Sequence, residues 1–170
     1  MKEADVATDT NEFMQCWIAG SGELYGLVSR DGWARGPWDG EPDGLVWESS
    51  HGFRCALARG PTGAWCGYVA LKENHPLFGV AYHEVEVKVH GGLTFGEILP
   101  DKLWALGFDC AHSFDLVPFM PLHLDPMKWI TGFLDSALEL EPGDDTSCYR
   151  TMEWAKAETE RLAEQLAVKP

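Results

Sequence analysis

The sequence contains no apolar run that approaches the roughly 20 residues needed to cross a bilayer. Its first residues, MKEADVATDTNEF, are acidic and lack the apolar stretch of a secretory signal. Basic residues are also scarce, since 13 Lys and Arg stand against 27 Asp and Glu, giving a formal net charge of -14. A chain this acidic repels phosphates. We therefore expect no membrane association and no direct contact with nucleic acid.

Several common catalytic motifs are missing as well. The sequence has no GxxxxGKS/T, GxGxxG, GxSxG or HExxH pattern, which excludes phosphate-loop NTPases, Rossmann dehydrogenases, α/β-hydrolases and zincins. Its five cysteines are an odd number without paired CxxC spacing. Reduced thiols in a cytoplasm explain such cysteines more simply than disulfides do.

The length and the distribution of charge predict one folded domain. A chain of 170 residues with 45% hydrophobic residues is long enough to bury a core. Both ends of the chain carry an excess of acidic residues, whereas residues 51–100 are neutral and are therefore expected to hold much of the core. We predict a partly flexible N-terminal extension over residues 1–30 and a single domain over residues 31–170.

Alternating apolar residues predict several strands. Residues 53–59 and 64–72 flank the turn sequence GPTG, so an antiparallel hairpin is expected there. Residues 82–90 and 103–111 alternate between apolar and polar or small side chains, as strands with one buried face do. Residues 13–28 are predicted to form a hairpin-like pair of short segments.

The C-terminal third shows helical spacing instead. Apolar residues follow a helical period over residues 127–140, and a final helix is expected to begin near the DDTS cluster at 144–147. Strands followed by helices are typical of the α+β class. The predicted fold is therefore α+β, a mostly antiparallel sheet of about 4–6 strands packed by two C-terminal helices.

Two segments, HGGLT and GFDCAHSFD, place polar side chains next to small residues. Asp109, His112 and Asp115 are spaced by three and would project to one side of a helical turn. With His90 from the neighbouring strand, they form a set of two imidazoles and two carboxylates. Such a set suits zinc, manganese or iron. We predict a divalent metal held by these four residues, with His112 and Asp115 also acting in catalysis, Asp115 as ligand or general base.

The same segments also suggest an anion site. Glycines after a strand let backbone N–H groups point into open space, so Gly91, Gly92 and Thr94 are candidates to bind a phosphate. Arg150 would face that phosphate if the last helix packs across the pocket. Each residue also has a purely structural interpretation, for example Asp109 capping a turn or His90 lying on the polar face of a strand.

Eight short motifs resemble those of a family of uncharacterised, mostly phage- or prophage-encoded small proteins. They are GPW at 36–38, EPD at 41–43, CGYV at 66–69, HP at 75–76, VHGGLT at 89–94, GFDCAH at 107–112 with Asp115, YR at 149–150 and LAEQL at 162–166. The resemblance covers about residues 31–167 and implies expression in the cytoplasm of a bacterial host cell during infection. Residues 1–30 and 116–126 depart from the family pattern, which suggests a feature particular to this chain, such as a partner surface.

Three functional hypotheses follow. The first is a pocket that binds a divalent metal, a phosphate-containing small molecule such as a nucleotide, or both, and hydrolyses that molecule as a phosphoester. The second is a non-catalytic inhibitor of host defence, which sequesters a nucleotide signal or presents its acidic surface to a basic host defence protein. The third is a structural or assembly protein of the virion, in which the polar residues only pack.

Overall fold

A computed structural model describes residues 13–112, 115–119 and 149–167 of the chain. Its centre is a six-stranded sheet with the order β1-β2-β3-β4-β6-β5, in which every neighbouring pair is antiparallel. The strands are β1 (Gly22–Leu24), β2 (Gly44–Glu48), β3 (Arg54–Arg59), β4 (Trp65–Leu71), β5 (Phe95–Ile98) and β6 (Trp104–Asp109). Helix α1 covers residues 13–19, and helix α2 covers Met152–Ala167. The predicted α+β class and antiparallel sheet are confirmed.

The predicted hairpin around GPTG is also confirmed. Strands β3 and β4 pair from Arg54 opposite Ala70 to Arg59 opposite Trp65. The turn closes where the backbone N–H of Gly63 donates to the Gly60 carbonyl at 2.9 Å. The strand predicted over residues 103–111 is present as β6, which pairs with both β4 and β5.

Helix α2 packs on one face of the sheet, called here the α2 face. The strands and the helix bury apolar side chains against each other there, and the largest fully buried ones are Leu57, Trp65, Leu71, Val69, Leu106, Phe108, Leu162 and Leu166. The helix approaches β4 closely at Gly67, where a Cβ atom would lie 2.4 Å from the Thr159 hydroxyl. Burial of this many apolar groups is the main force that holds α2 on the sheet.

Helix α1 packs on the opposite face, called here the α1 face. Trp17 of α1 is buried against Ala56 and Ala70, and its indole N–H donates to Asp101 Oδ2 at 2.7 Å. Residues 13–30, part of the extension predicted over residues 1–30, thus include α1, which packs on the sheet, and β1, which pairs with β2.

The hairpin-like pair expected over residues 13–28 is wrong. Residues 13–19 form a helix, and only Gly22–Leu24 form a strand, which pairs with β2. Gly20 has a positive φ of 80°, and its N–H donates to the Cys16 carbonyl at 2.9 Å. This left-handed glycine terminates the helix in the usual way, so GSG separates a helix from a strand rather than joining two strands.

The strand predicted over residues 82–90 is wrong too. Tyr82–Glu84 form a short 3-10 helix, and the residues that follow have no strand partner in the sheet. The three valines at 85, 87 and 89 do pack against the core on the α2 face. Side chains of α2, rather than a neighbouring strand, hydrogen-bond the backbone of Lys88 and His90. The Lys88 N–H donates to Gln165 Oε1 at 2.7 Å. We call residues 85–90 the extended segment.

The final predicted helix is present as α2, beginning at Met152. Its first turn is capped from a distance, because the Met152 N–H donates to Glu41 Oε1 at 2.8 Å. The helix predicted over 127–140 and the DDTS cluster at 144–147 lie outside the described residues. In the part of the chain that the structure describes, no helix has the length and apolarity to cross a membrane.

Candidate functional site

Three parts of the chain meet at the N-terminal end of α2. The extended segment ends there at His90, the loop after β6 brings His112 and Asp115, and the approach to α2 brings Arg150. His90, His112 and Asp115 are called here the His–Asp cluster. The sequence predicted that these three residues would meet, and the structure brings them together.

The cluster brings together three side-chain atoms of the kinds that bind metal ions. One atom from each residue, two imidazole nitrogens and a carboxylate oxygen, lies within 4.8 Å of the others. His90 Nε2 lies 2.8 Å from Asp115 Oδ2, and His112 Nδ1 lies 3.2 Å from the same oxygen. The Asp115 side chain is only 1% exposed, whereas the His112 side chain is 36% exposed. The cluster is thus buried at the carboxylate and open to solvent at one imidazole.

Asp115 is held as a carboxylate by the groups around it. Burial by itself raises its pKa, but hydrogen bonds from His90, from the His112 backbone N–H and from Arg150 stabilise the charged form and outweigh burial. The pKa of Asp115 therefore lies below its ordinary value. Arg150 Nε donates to Oδ1 at 3.1 Å and leaves Oδ2 to the two histidines. Since an ionised carboxylate only accepts hydrogen bonds, the two ring nitrogens facing Oδ2 are the donors.

Aromatic rings and a glycine hold the two imidazoles in place. The His90 ring makes edge-to-face contacts with His112 and with Trp154, at centroid distances of 5.0 and 5.2 Å. Gly91 has a positive φ of 66°, and a Cβ atom there would lie 2.0 Å from His112 Nε2. The His112 ring therefore packs directly on the Gly91 backbone, an approach that only glycine permits.

Asp109 does not join the cluster, contrary to the sequence prediction. It is the last residue of β6, and its carboxylate accepts hydrogen bonds from the Thr94 hydroxyl at 2.9 Å and from the Ala111 N–H at 3.0 Å. The prediction assumed a helical turn from residue 109 onward. Because β6 continues to Asp109, strand alternation directs this side chain away from the α2 face, to which Phe108 and Cys110 belong.

The residues predicted to bind an anion are mostly engaged elsewhere. The Gly92 N–H donates to the Val89 carbonyl, and the Thr94 N–H donates to the Gly107 carbonyl, both at 2.9 Å. Arg150 is buried, pairs with Asp115 and lies 4.6 Å from the centre of the Trp154 ring. Gly91 packs under His112. The HGGLT segment thus shapes the His–Asp cluster rather than offering a cradle of open amides.

Two residues that sequence analysis did not single out complete the site. Trp154 contacts the His90 ring, and Glu158, only 4% exposed, accepts the His90 backbone N–H through Oε1 at 2.7 Å. Their spacing of four, continued backward to Arg150, places all three on one side of the chain as it enters α2. The sequence does hold a signal for Trp154 and Glu158. An arginine, a tryptophan and a glutamate follow one another at intervals of four, and Leu162 continues the same face.

The chemistry open to the site depends on its ionisable groups and on the thiols nearby. The two thiols on the α2 face are poor nucleophiles, because burial raises the pKa of Cys110 well above its usual range and the pKa of Cys55 to about 12. Two imidazoles and a carboxylate that already point at one another can bind a borderline metal ion and leave one position for water.

Comparison of the chain with protein-family models, curated proteins and solved structures finds no match. The resemblance to phage- or prophage-encoded proteins therefore stays a prediction from sequence motifs, and so does the cytoplasmic location.

Proposed function

We propose that this protein binds a divalent metal ion through His90, His112 and Asp115 and uses it to activate water for hydrolysis. The observation that carries the proposal is the convergence of three ligand atoms within 4.8 Å. In tetrahedral zinc sites, neighbouring ligand atoms lie about 3.3 Å apart, given bonds of about 2.0 Å. The present separations of 2.8 and 3.2 Å require only a small expansion to admit the ion. Each histidine would bind as a neutral imidazole, with its proton on the ring nitrogen that faces away from Asp115.

The surroundings of the cluster agree with a catalytic rather than a structural metal. Catalytic zinc sites have three protein ligands and an open fourth position, and His112 is the ligand exposed to solvent. Arg150 would hold the second oxygen of Asp115, so that this carboxylate keeps its orientation when the first oxygen binds the ion. Zinc, manganese and iron all accept this ligand set.

The substrate class that we propose is a phosphate-containing small molecule such as a nucleotide. Arg150 is committed to Asp115, so the metal would supply the positive charge that the transferred phosphoryl group needs. The inhibitor and virion hypotheses stay predictions from the sequence.

The first test is the metal content of tag-free protein by mass spectrometry, after reconstitution with zinc, manganese or iron. We expect about one ion per chain in the parent, and loss of the ion in His112→Ala. Asp109→Ala is the matched control, because Asp109 ends the strand that leads into the loop of His112 but lies outside the cluster. It should keep the ion. A parent without metal under all three conditions would overturn the proposal.

The second test is hydrolysis of nitrophenyl phosphate mono- and diesters by the metal-loaded parent. Activity should disappear with a chelator, return when the metal is restored, and be absent from His112→Ala. A metal-loaded parent that hydrolyses none of these esters or a panel of nucleotides would overturn the hydrolase function and leave the metal site standing.

A further inference from the structure

Glu158 is a buried carboxylate that no sequence motif explains and that the proposed metal chemistry does not use. Its side chain is 4% exposed and lies on α2, one turn beyond Trp154. Oε1 accepts the backbone N–H of His90 at 2.7 Å, and Oε2 pairs with Arg161, whose side chain is 66% exposed. A buried carboxylate is costly unless both oxygens are hydrogen-bonded, and here one of the two partners is the backbone of a proposed metal ligand.

The extended segment depends on such side chains because it has no neighbouring strand. Two residues before His90, the side-chain amide of Gln165 accepts from the Lys88 N–H at 2.7 Å and donates to the Lys88 carbonyl at 2.9 Å. Gln165 therefore hydrogen-bonds Lys88 in the way that a paired strand residue would. Glu158 provides the next contact along the segment and reaches its last residue.

We propose that Glu158 is the positioning residue of the metal site, because it fixes the backbone from which the His90 imidazole reaches Asp115. This inference rests on the proposed function. Ligands must be held within about 0.5 Å of the productive geometry for tight metal binding, and residues behind the ligands typically contribute about 10- to 100-fold in affinity. Glu158 binds no metal itself and acts through His90.

Two conservative variants of Glu158 test whether its position or its negative charge affects zinc binding. Glu158→Asp keeps the negative charge and draws the oxygen back from the His90 amide by about one bond length, 1.5 Å. Glu158→Gln removes the charge and keeps an acceptor oxygen in place. If Glu158 acts by position, Glu158→Asp should weaken zinc binding by about 10-fold or more, and Glu158→Gln should stay within about threefold of the parent.

The matched control is Glu160→Asp, the same change two residues further along α2. Glu160 Oε1 accepts from the Trp47 indole at 2.7 Å, away from the His–Asp cluster. This variant should lower the thermal midpoint and leave zinc affinity unchanged. Affinity is measured by competition with a chromophoric chelator on tag-free full-length chain, with thermal midpoints recorded alongside.

The outcomes distinguish the two proposals. Failure of the parent to bind zinc, manganese or iron overturns the metal site, and the inference about Glu158 falls with it. If the parent binds zinc and Glu158→Asp binds it equally well, Glu158 is only a structural residue and the metal site stands. If Glu158→Gln loses as much affinity as Glu158→Asp, the charge matters and positioning is overturned.

Discussion

At the scale of single residues, the site is organised around one carboxylate. Asp115 accepts hydrogen bonds from His90, from the ring and the backbone of His112, and from Arg150. Removing one partner of such a buried set leaves charges uncompensated, which typically costs about 3–5 kcal/mol. The exposed His112 is therefore the safer residue to remove when metal binding alone is to be tested.

Gly91 permits a prediction with an internal control. Gly91 and Gly92 both have positive φ, 66° and 82°, so alanine at either position should cost about 1–2 kcal/mol of folding free energy. Only at Gly91 would the new Cβ meet the His112 ring, at 2.0 Å; at Gly92 no atom lies within 4 Å among the described residues.

We therefore expect both Gly91→Ala and Gly92→Ala to lower the free energy of unfolding in urea, and Gly91→Ala to lower it further because of the clash with the His112 ring. Zinc binding should be lost only in Gly91→Ala, because its methyl group displaces the His112 ring. Equal zinc affinity in both variants would show that the ring position does not govern metal binding.

At the scale of elements, the extended segment shows how much an alternation of apolar and polar residues predicts about structure. The valines at 85, 87 and 89 were correctly predicted to face the core. The pattern reports which side of the chain is buried, but it does not identify the group that satisfies the backbone. Here the backbone of the extended segment is hydrogen-bonded by two side chains of α2, Gln165 and Glu158, and not by a neighbouring strand.

Gln165→Ala tests this arrangement. We expect the Lys88 amide to exchange with solvent about 5- to 10-fold faster, since one hydrogen bond is worth about 1 kcal/mol. The measurement is amide hydrogen exchange by NMR. The His90 amide, held by Glu158, serves as the control and should change much less. An unchanged Lys88 rate would mean that Gln165 does not anchor the segment.

At the scale of the whole molecule, buried thiol and phenol groups determine how the folding stability changes at alkaline pH. Burial raises the pKa of the Cys55 thiol from 9.0 to about 12. Burial likewise raises the pKa values of Tyr68 on the α1 face and of Tyr149 before α2. Below pH 9 these groups are protonated in both the folded and the unfolded chain. Between about pH 9 and 12 the folded chain retains protons that the unfolded chain loses.

Stability should therefore fall as pH rises above about 9, and Cys55 alone should account for about 1 kcal/mol by pH 10. The measurement is urea unfolding at pH 8 and pH 10. Cys55→Ala is less stable at both pH values, but its loss between them should be smaller than that of the parent by about that amount. An equal loss in the two proteins would contradict the assignment to the Cys55 thiol.

Local sequence was sufficient wherever neighbours along the chain decide the structure. The GPTG turn with its flanking strands, the buried face of β6 and the apolar stripe of α2 all follow from turn chemistry and periodicity. The α+β class likewise follows from the order of the predicted strands and helices along the chain. Local patterns failed at 13–19 and at 85–90, where helix and extended chain depend on partners far away in the sequence.

The candidate site depends on both the local sequence and the tertiary structure. Sequence alone indicated His90, Asp109, His112 and Asp115 as polar residues beside small ones and predicted that they would meet. Only the tertiary structure decided that Asp109 is excluded, that Arg150 pairs with Asp115 rather than facing an open anion site, and that Glu158 belongs to the site. The physical reason is distance along the chain. The contact between His90 and Glu158 spans 68 residues and that between Arg150 and Asp115 spans 35, and such contacts form only when α2 packs against the extended segment and the sheet.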